Sequence, residues 1–308
     1  MTAASTGRAS TPAPLFILGA PRSGTSLLYK VLCLHPDVAY ISNWMRRAPR
    51  MPALASFNRL APRFPDVRRT VWFGDDSANA YVYSDRRSLR ARLFPMPVEG
   101  EPVFRGCGLG PGAQSGPPDP AQVACVQRTF AALRRYAGAK FVVSKRIASN
   151  QRVPLLAAAF PSARFVHLVR DGRAVAYSLS RVTWWEKDVI WWLGTTPRHW
   201  REQGGDPWEL CARHWVRELA SVDEGLRSVA VGQQLEVRYE ELVDQPVATL
   251  CRVAAFVGLP DDRAWTGELL RLHYPNRNEA WRERLPPDAR DRVETTQYEQ
   301  LRRLGYVS

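Results

Sequence analysis

The apolar positions of this chain form short runs that alternate with helical patterns. Four runs lie within residues 15–34, 141–144, 163–169 and 233–242, and each is followed or preceded by a stretch of helical character. Strands that alternate with helices favour a parallel sheet. The pattern therefore predicts an α/β fold of three layers, with a central and mainly parallel sheet flanked by helices.

Two later helices are indicated by their ends. Asp206 precedes Pro207, and Glu209 follows three residues after this N-cap. Another helix begins at Pro246 and stops at Gly258. We expect the first of these helices to bury one face, formed by Trp215, Leu219, Val222 and Leu226.

The 308 residues are sufficient for one large domain. We expect a disordered N-terminus over residues 1–14 and a single α/β domain over 15–308, with insertions at about 44–135 and 183–205. Insertions of this length often shape a substrate site. For the Gly- and Pro-rich stretch 95–120, a surface loop without function is the alternative.

The turn after the first strand has the spacing of a phosphate-binding loop. Gly19 and Gly24 are separated by four residues, but Thr25 stands where the NTPase loop has its lysine. Arg22 supplies a positive charge instead, and hydroxyl groups follow at the helix N-terminus. The loop predicts a P-loop-like site for a 5'-phosphate, although a P-loop kinase or NTPase-like enzyme remains an alternative.

A second anion site is predicted in the middle of the chain. The strand within residues 163–169 runs into Arg170, and the following helical pattern carries Ser178 and Arg181 on neighbouring positions of one face. Alone, this pattern is weak. Together with the first loop, it predicts a ligand with two anionic groups.

These motifs carry a family resemblance. APRSGTSLL at 20–28 and HLVRDGRAVAYSLSR at 167–181 resemble the two nucleotide-binding segments of the sulfotransferases that use 3'-phosphoadenosine 5'-phosphosulfate (PAPS), most of all their bacterial and tyrosylprotein branch. The resemblance implies that the 5' end is held by Arg22, Ser23, Gly24, Thr25 and Ser26. It also implies that the 3'-phosphate is bound by Arg170 and Ser178, with Arg181 beside them.

Other segments extend the resemblance. Lys145 in SKRIASN is similar to the family's catalytic lysine, although the proline that usually follows is missing. Tyr239 in VRYEEL matches a tyrosine placed near the adenine, and the C-terminal segment has a Trp and a basic residue, Trp281 and Arg282, before its closing LGY. The similarity leaves 44–135 and 183–205 unaccounted for.

The implied activity is sulfuryl transfer from PAPS, with 3',5'-bisphosphoadenosine (PAP) as product, to a hydroxyl or amine of a small metabolite, lipid or glycan. Arg22 and Lys145 are the catalytic candidates, because positioned cations stabilise the charge that spreads over the transferred group and the leaving phosphate. No metal ion is expected. A catalytically inactive nucleotide-binding module is a further alternative.

The family's general base is missing from its usual position. HPDVAYISNW places Ser42 and Asn43 where the resembling family has a glutamate, and neither side chain accepts a proton near neutral pH. We therefore expect either that Asp75 or Asp76 in the insertion serves as base, or that the acceptor is acidic enough to need little help.

Composition adds little to the choice of partner. The formal net charge is +13, but of the 43 basic residues four are lysine and the rest arginine, spread without a long basic run. We therefore expect no nucleic-acid partner. A cluster of tryptophans, Trp184, Trp185, Trp191 and Trp192, either lines an acceptor pocket, forms a lid or packs beneath the insertion.

The cysteines indicate a reducing compartment. The five are far apart, with no CxxC spacing and no clustered histidines for zinc. No apolar run reaches the length of a membrane span. We expect a cytoplasmic protein without a transmembrane segment, and the sequence leaves a homodimer open.

Overall fold

A computed structural model of the chain describes residues 13–74, 89–110, 112 and 116–308. Asp75 and Asp76, the predicted bases, lie outside the described residues, as does most of the predicted N-terminal tail. Within the described residues one sheet has five strands. They are β1 Leu15–Leu18, β2 Val38–Ala39, β3 Phe141–Lys145, β4 Arg164–Val169 and β5 Gln234–Arg238.

The strand order in the sheet is β2-β3-β1-β4-β5, and each neighbouring pair is parallel. The predicted parallel α/β sheet is confirmed. The sequence pattern missed β2, because its two residues are too few to show an alternation. In the register of the central strands, Ile17 of β1 lies between Lys145 of β3 and Val166 of β4.

Helices flank the sheet on both faces. In chain order they are α1 Thr25–Leu32, α2 Asn43–Arg47, α3 Pro65–Phe73, α4 Leu89–Leu93, α5 Glu101–Arg105, α6 Pro120–Ala137, α7 Val153–Ala159, α8 Gly172–Ser180, α9 Pro197–Glu202, α10 Pro207–Leu226, α11 Tyr239–Asp244, α12 Pro246–Val257, α13 Arg263–Leu270, α14 Ala280–Arg284 and α15 Pro287–Arg303. The short 3-10 helices are Pro52–Arg63, Ile147–Ser149, Trp185–Lys187 and Val231–Gln233.

The alternation of side chains along β1 separates two cores. Leu15 and Ile17 face one core, which they share with α1, α12 and α13. Phe16 and Leu18 face the opposite core, with α6, α7 and α10. Because both faces of β1 are covered, all four residues are buried, as is typical of the central strand of a parallel sheet.

The predicted ends of α10 and α12 are confirmed. The Asp206 carboxylate accepts hydrogen bonds from the backbone N–H groups of Trp208 (2.9 Å) and Glu209 (2.8 Å) and so caps α10. Gly258 ends α12 in the left-handed conformation. The predicted face of α10 is mostly buried, with Trp215 and Val222 fully enclosed.

One pair of cysteines forms a disulfide that the sequence spacing did not predict. Cys107 follows α5 and Cys125 lies in α6, and the chain between them turns back so that their Cα atoms are 5.4 Å apart. Such proximity is a property of the tertiary fold and leaves no sequence signal. The bond fastens the segment after α5 to a helix of the sheet's outer layer.

We expect Phe16 to be a major contributor to stability. Its ring packs against Phe165 (5.5 Å between centroids), Phe130 (5.6 Å) and Phe160 (6.0 Å). Phe16→Ala should lower the free energy of unfolding by about 3–5 kcal/mol in a denaturant titration. Phe64→Ala is the matched control, because Phe64 is 53% exposed and its loss should change stability by about 0.5 kcal/mol or less. Equal effects of both substitutions would show that the core is not centred on Phe16.

Candidate functional site

Three loops meet at one edge of the sheet. In parallel strands the carboxyl ends lie together, and β3, β1 and β4 are neighbours in that order. Lys145 ends β3, the loop Gly19–Gly24 follows β1, and Arg170 follows β4. The residues that the sequence analysis singled out as anion ligands therefore share this edge.

The loop after β1 has backbone φ angles that few residue types adopt. Gly19 and Gly24 have positive φ angles of 145° and 95°, and Arg22, at 72°, is the one non-glycine residue with positive φ among the described residues. The Asn150 side chain fixes the start of the loop, since its Oδ1 accepts from Gly19 N (3.1 Å) and its Nδ2 donates to Gly19 O (3.0 Å).

The structure brings the two predicted anion sites into contact. The Arg22 Nε donates to Ser178 Oγ at 3.0 Å, and the Arg170 Nη1 donates to the backbone carbonyl of Arg22 at 2.9 Å. The first contact joins the loop after β1 to helix α8, and the second joins it to the end of β4. The two sites are thus parts of one continuous surface.

Arg170 is the most heavily engaged cation of this surface. Its Nε donates to Asn278 Oδ1 (3.0 Å) and its Nη2 to Arg277 O (2.9 Å), while its guanidinium lies over the Tyr239 ring at 4.1 Å. Burial lowers the pKa of Arg170 from its ordinary value. Nothing in the sequence around Arg277 and Asn278 marks a ligand segment, so neither residue was predicted.

Helix α1 begins directly behind the loop and presents hydroxyl groups. The Oγ of Ser23 is buried and has no hydrogen-bond partner among the described residues, and Thr25 is buried beside it. Ser26 is half-buried. A buried hydroxyl without a partner at a helix N-terminus fits an anionic oxygen, because the helix dipole and the free N–H groups favour negative charge there.

Lys145 lies on the other side of the loop and has a partner that the sequence analysis did not identify. Its side chain is only 4% exposed, and its Nζ forms an ion pair with Glu99. The second carboxylate oxygen of Glu99 accepts from Ile147 N at 3.4 Å. Glu99 comes from a segment far away in sequence, so no local motif indicates it.

The remaining predicted ligands have other contacts. Arg181 is exposed and donates to Tyr177 OH at 3.1 Å. Trp281 is buried in a cluster with Ala174 and Tyr177, and Arg282 is exposed and paired with Glu279. The predicted role of these three residues as donor ligands stays a prediction.

The clustered tryptophans at 184, 185, 191 and 192 mostly pack internally. Trp185 is buried, Trp191 Nε1 donates to Glu218 Oε1 (2.7 Å), and Trp192 Nε1 donates to His214 Nδ1 (3.1 Å). Trp184 is the exposed member, at 37%. Packing therefore accounts for three of them, and Trp184 alone offers an open aromatic face.

Glu218 on α10 connects these tryptophans to the loop after β1. Its carboxylate is fully buried and accepts hydrogen bonds from Asn150 Nδ2 (2.6 Å) and Gln151 Nε2 (3.1 Å) in addition to Trp191. Burial raises the pKa of Glu218, and the bonds from Asn150, Trp191 and Gln151 act in the opposite direction. The Asn150 side chain is therefore held both by the backbone of Gly19 and by the Glu218 carboxylate.

Over the described ranges, no group of three or more His, Cys, Asp or Glu side chains is placed to hold a metal ion. None of the helices in these ranges has both the length and the apolar character needed to cross a bilayer.

We expect the loop geometry to reject a side chain at Gly24. A Cβ atom there would lie 2.6 Å from Cδ2 of Tyr239, on a backbone with φ of 95°. Gly24→Ala should therefore lower the free energy of unfolding by about 1–3 kcal/mol, measured by denaturant titration. Gly267→Ala in α13 is the control, because its Cβ meets nothing within 4 Å and should raise stability by about 0.5–1 kcal/mol. A Gly24→Ala protein as stable as the wild type would contradict this geometry.

Comparison with known proteins assigns the chain to a family. The profile of the Sulfotransferase family matches residues 14–263. The chain is 27% identical to carbohydrate sulfotransferase 5 of Homo sapiens, over 95% of this chain and 77% of that protein, and 27% identical to carbohydrate sulfotransferase 4 of Mus musculus, over 96% and 82%. The fold is similar to that of sulfotransferase STF9 from Mycobacterium avium, with a TM-score of 0.59, 16% identity, and coverage of 95% of this chain and 77% of the other. The kinase or NTPase alternative is therefore replaced: the chain belongs to the sulfotransferase family and is a transferase of sulfo groups.

Proposed function

We propose that the protein transfers the sulfuryl group of PAPS to a hydroxyl of a carbohydrate. The observation that carries the donor assignment is the contact between the two anion sites. Arg22 reaches Ser178 and Arg170 reaches the backbone of Arg22, so the cations sit close enough to hold two phosphates of one nucleotide. Such a joined surface suits the 3' and 5' positions of a single ribose.

The chain's own residues supply the binding and the electrostatics. The N-terminus of α1, with Ser23, Thr25 and Ser26, would hold the 5' end of the donor, and Arg170 with Ser178 would read its 3'-phosphate. Arg22 and Lys145 would stabilise the charge on the transferred group and on the leaving phosphate. PAPS itself supplies an activated sulfuryl group.

The carbohydrate acceptor is supported by two observations. The relatives that match over most of this chain are named carbohydrate sulfotransferases. In addition, Trp184 presents an exposed aromatic ring, and Asp188 N donates to Trp184 O (3.2 Å), which forms a turn. An open indole suits a sugar, which stacks through its C–H face.

A calorimetric titration tests the donor. PAP should bind more than about tenfold tighter than 5'-AMP or ATP, because each charge-assisted contact to the 3'-phosphate contributes about 1.5–3 kcal/mol. Arg170→Lys should reduce this ratio, since a lysine cannot replace a guanidinium with three directed contacts and a ring stack. Arg227→Lys is the control and should leave the ratio unchanged, because Arg227 is exposed and pairs with Glu224 at the end of α10. Equal affinities for PAP and 5'-AMP would remove the assignment of the 3'-phosphate site.

Product analysis tests the acceptor. The protein is incubated with PAPS and, separately, with neutral oligosaccharides, tyrosine-containing peptides and long-chain alcohols, and sulfate esters are identified by mass spectrometry. We expect sulfated oligosaccharides, and we expect Trp184→Ala to raise KM for them roughly 2- to 12-fold, as aromatic stacking contacts contribute about 0.5–1.5 kcal/mol. Sulfated peptides or alcohols alone would reassign the acceptor. Tight PAP binding without any sulfated product would support the catalytically inactive alternative.

A further inference from the structure

We infer that Glu99 is the general base of this enzyme, and that Asn43 is the positioning residue that places the Glu99 carboxylate at the end of β3. The inference rests on the proposed function and adds to it a residue that the family position does not supply. In this chain Asn43 occupies the position at which a glutamate was expected. The structure shows what the amide does instead.

The side chain of Asn43 is committed to the backbone of another segment. Its Nδ2 donates to Phe94 O (3.0 Å) and Arg92 O (3.2 Å), and its Oδ1 accepts from Met96 N (3.1 Å). The backbone N–H of Asn43 also donates to Met96 O at 3.0 Å. An amide can make this set of bonds because it has both donors and an acceptor, whereas a carboxylate only accepts when ionised. Asn43 therefore fixes the segment 92–96.

The segment continues along the residues before Asn43 and ends at Glu99. Val98 N donates to Ile41 O at 2.9 Å, and Pro97 pairs with Ser42 in an antiparallel bridge. Gly100 then turns the chain into α5 with φ of 67°, where a Cβ would lie 2.7 Å from Ile41. These contacts set the register, and Glu99 reaches the end of β3 as a result.

At this position Glu99 has the contacts that a base requires. One carboxylate oxygen pairs with Lys145, and the side chain is 33% exposed, so an acceptor can approach it. The other carboxylate oxygen accepts from Ile147 N at 3.4 Å, so both oxygens of Glu99 lie at the end of β3.

In the proposed step, the acceptor oxygen forms a bond to the sulfur of the donor while its proton passes to a Glu99 oxygen. The bond between this sulfur and the phosphate oxygen breaks, and the phosphate keeps the electron pair. Lys145 has three N–H donors and can serve the leaving phosphate as well as Glu99. When the anionic donor binds, its negative charge competes with Glu99 for the Lys145 ammonium and weakens their ion pair. The Glu99 carboxylate can then accept a proton.

The test compares Glu99→Gln and Glu99→Ala with the wild type, using PAP titration calorimetry and the release of inorganic sulfate from PAPS. Sulfate release is transfer to water, so it does not depend on knowing the acceptor. We expect PAP to bind Glu99→Gln at least as tightly as wild type, because a competitor for Lys145 is removed. We expect sulfate release to fall roughly 10²–10⁴-fold.

Formate distinguishes a base from a structural residue. Added formate should restore part of the sulfate release by Glu99→Ala, since it can occupy the space of the lost carboxylate. Glu209→Ala is the matched control, because this glutamate is also partly exposed and pairs with a cation, Arg213. It should retain most of the release, and formate should not stimulate it. Asn43→Ala should lower release as Glu99→Gln does, with PAP affinity kept.

Two outcomes would overturn the inference. Sulfate release that stays within about threefold of wild type in Glu99→Gln would show that the carboxylate takes no proton. A loss of release in Glu99→Ala that formate does not restore would assign Glu99 a structural role. Failure of the donor assignment is separate, because the wild-type protein itself would then fail to bind PAP.

Discussion

The hydrogen bond from the Arg170 guanidinium to the backbone carbonyl of Arg22 is the contact on which the proposed donor site depends. Arg22 has a positive φ angle of 72°, which a residue with a side chain adopts at a penalty of about 1–3 kcal/mol. A hydrogen bond to a charged group contributes about 1.5–3 kcal/mol, a comparable amount. The contact can therefore offset the strain, and it does so only because β1 and β4 are neighbours in the sheet. Strand order thus determines whether this loop can exist.

A second constraint links the donor side to the opposite side of the site. Asn150 binds both backbone groups of Gly19 and also donates to Glu218, whose other oxygen accepts from Trp191. The loop after β1 and the 183–205 segment therefore share one buried carboxylate. A shift of Trp191 leaves a Glu218 oxygen without its indole donor, and an unsatisfied buried group is unfavourable by about 1–3 kcal/mol. The two parts of the site are expected to hold their geometry together.

The sequence predicted those parts of the site that are local in the chain. The loop after β1 and the Arg170 segment follow directly from strands, so periodicity and spacing located them and strand order then brought them together. Glu99 could not be found in this way, because its place depends on the pairing of residues 92–98 with 41–43. The Cys107–Cys125 pairing and the role of Glu218 have the same origin, since both depend on contacts between distant segments. The sequence alone does not show how distant segments align in the fold, and all three features depend on that alignment.

The ion pair between Lys145 and Glu99 compensates a positive charge that is buried at the end of β3. Lys145 is almost fully buried, and a buried ammonium without a partner is strongly unfavourable. Glu99 provides the compensating charge, while its own partial exposure limits the desolvation penalty of its carboxylate. An anionic donor can take over the compensation, since it brings several negative charges to the same edge. The carboxylate that stabilises the resting lysine is then free to accept a proton, and one ion pair serves both the stability of the free enzyme and the chemistry of the loaded one.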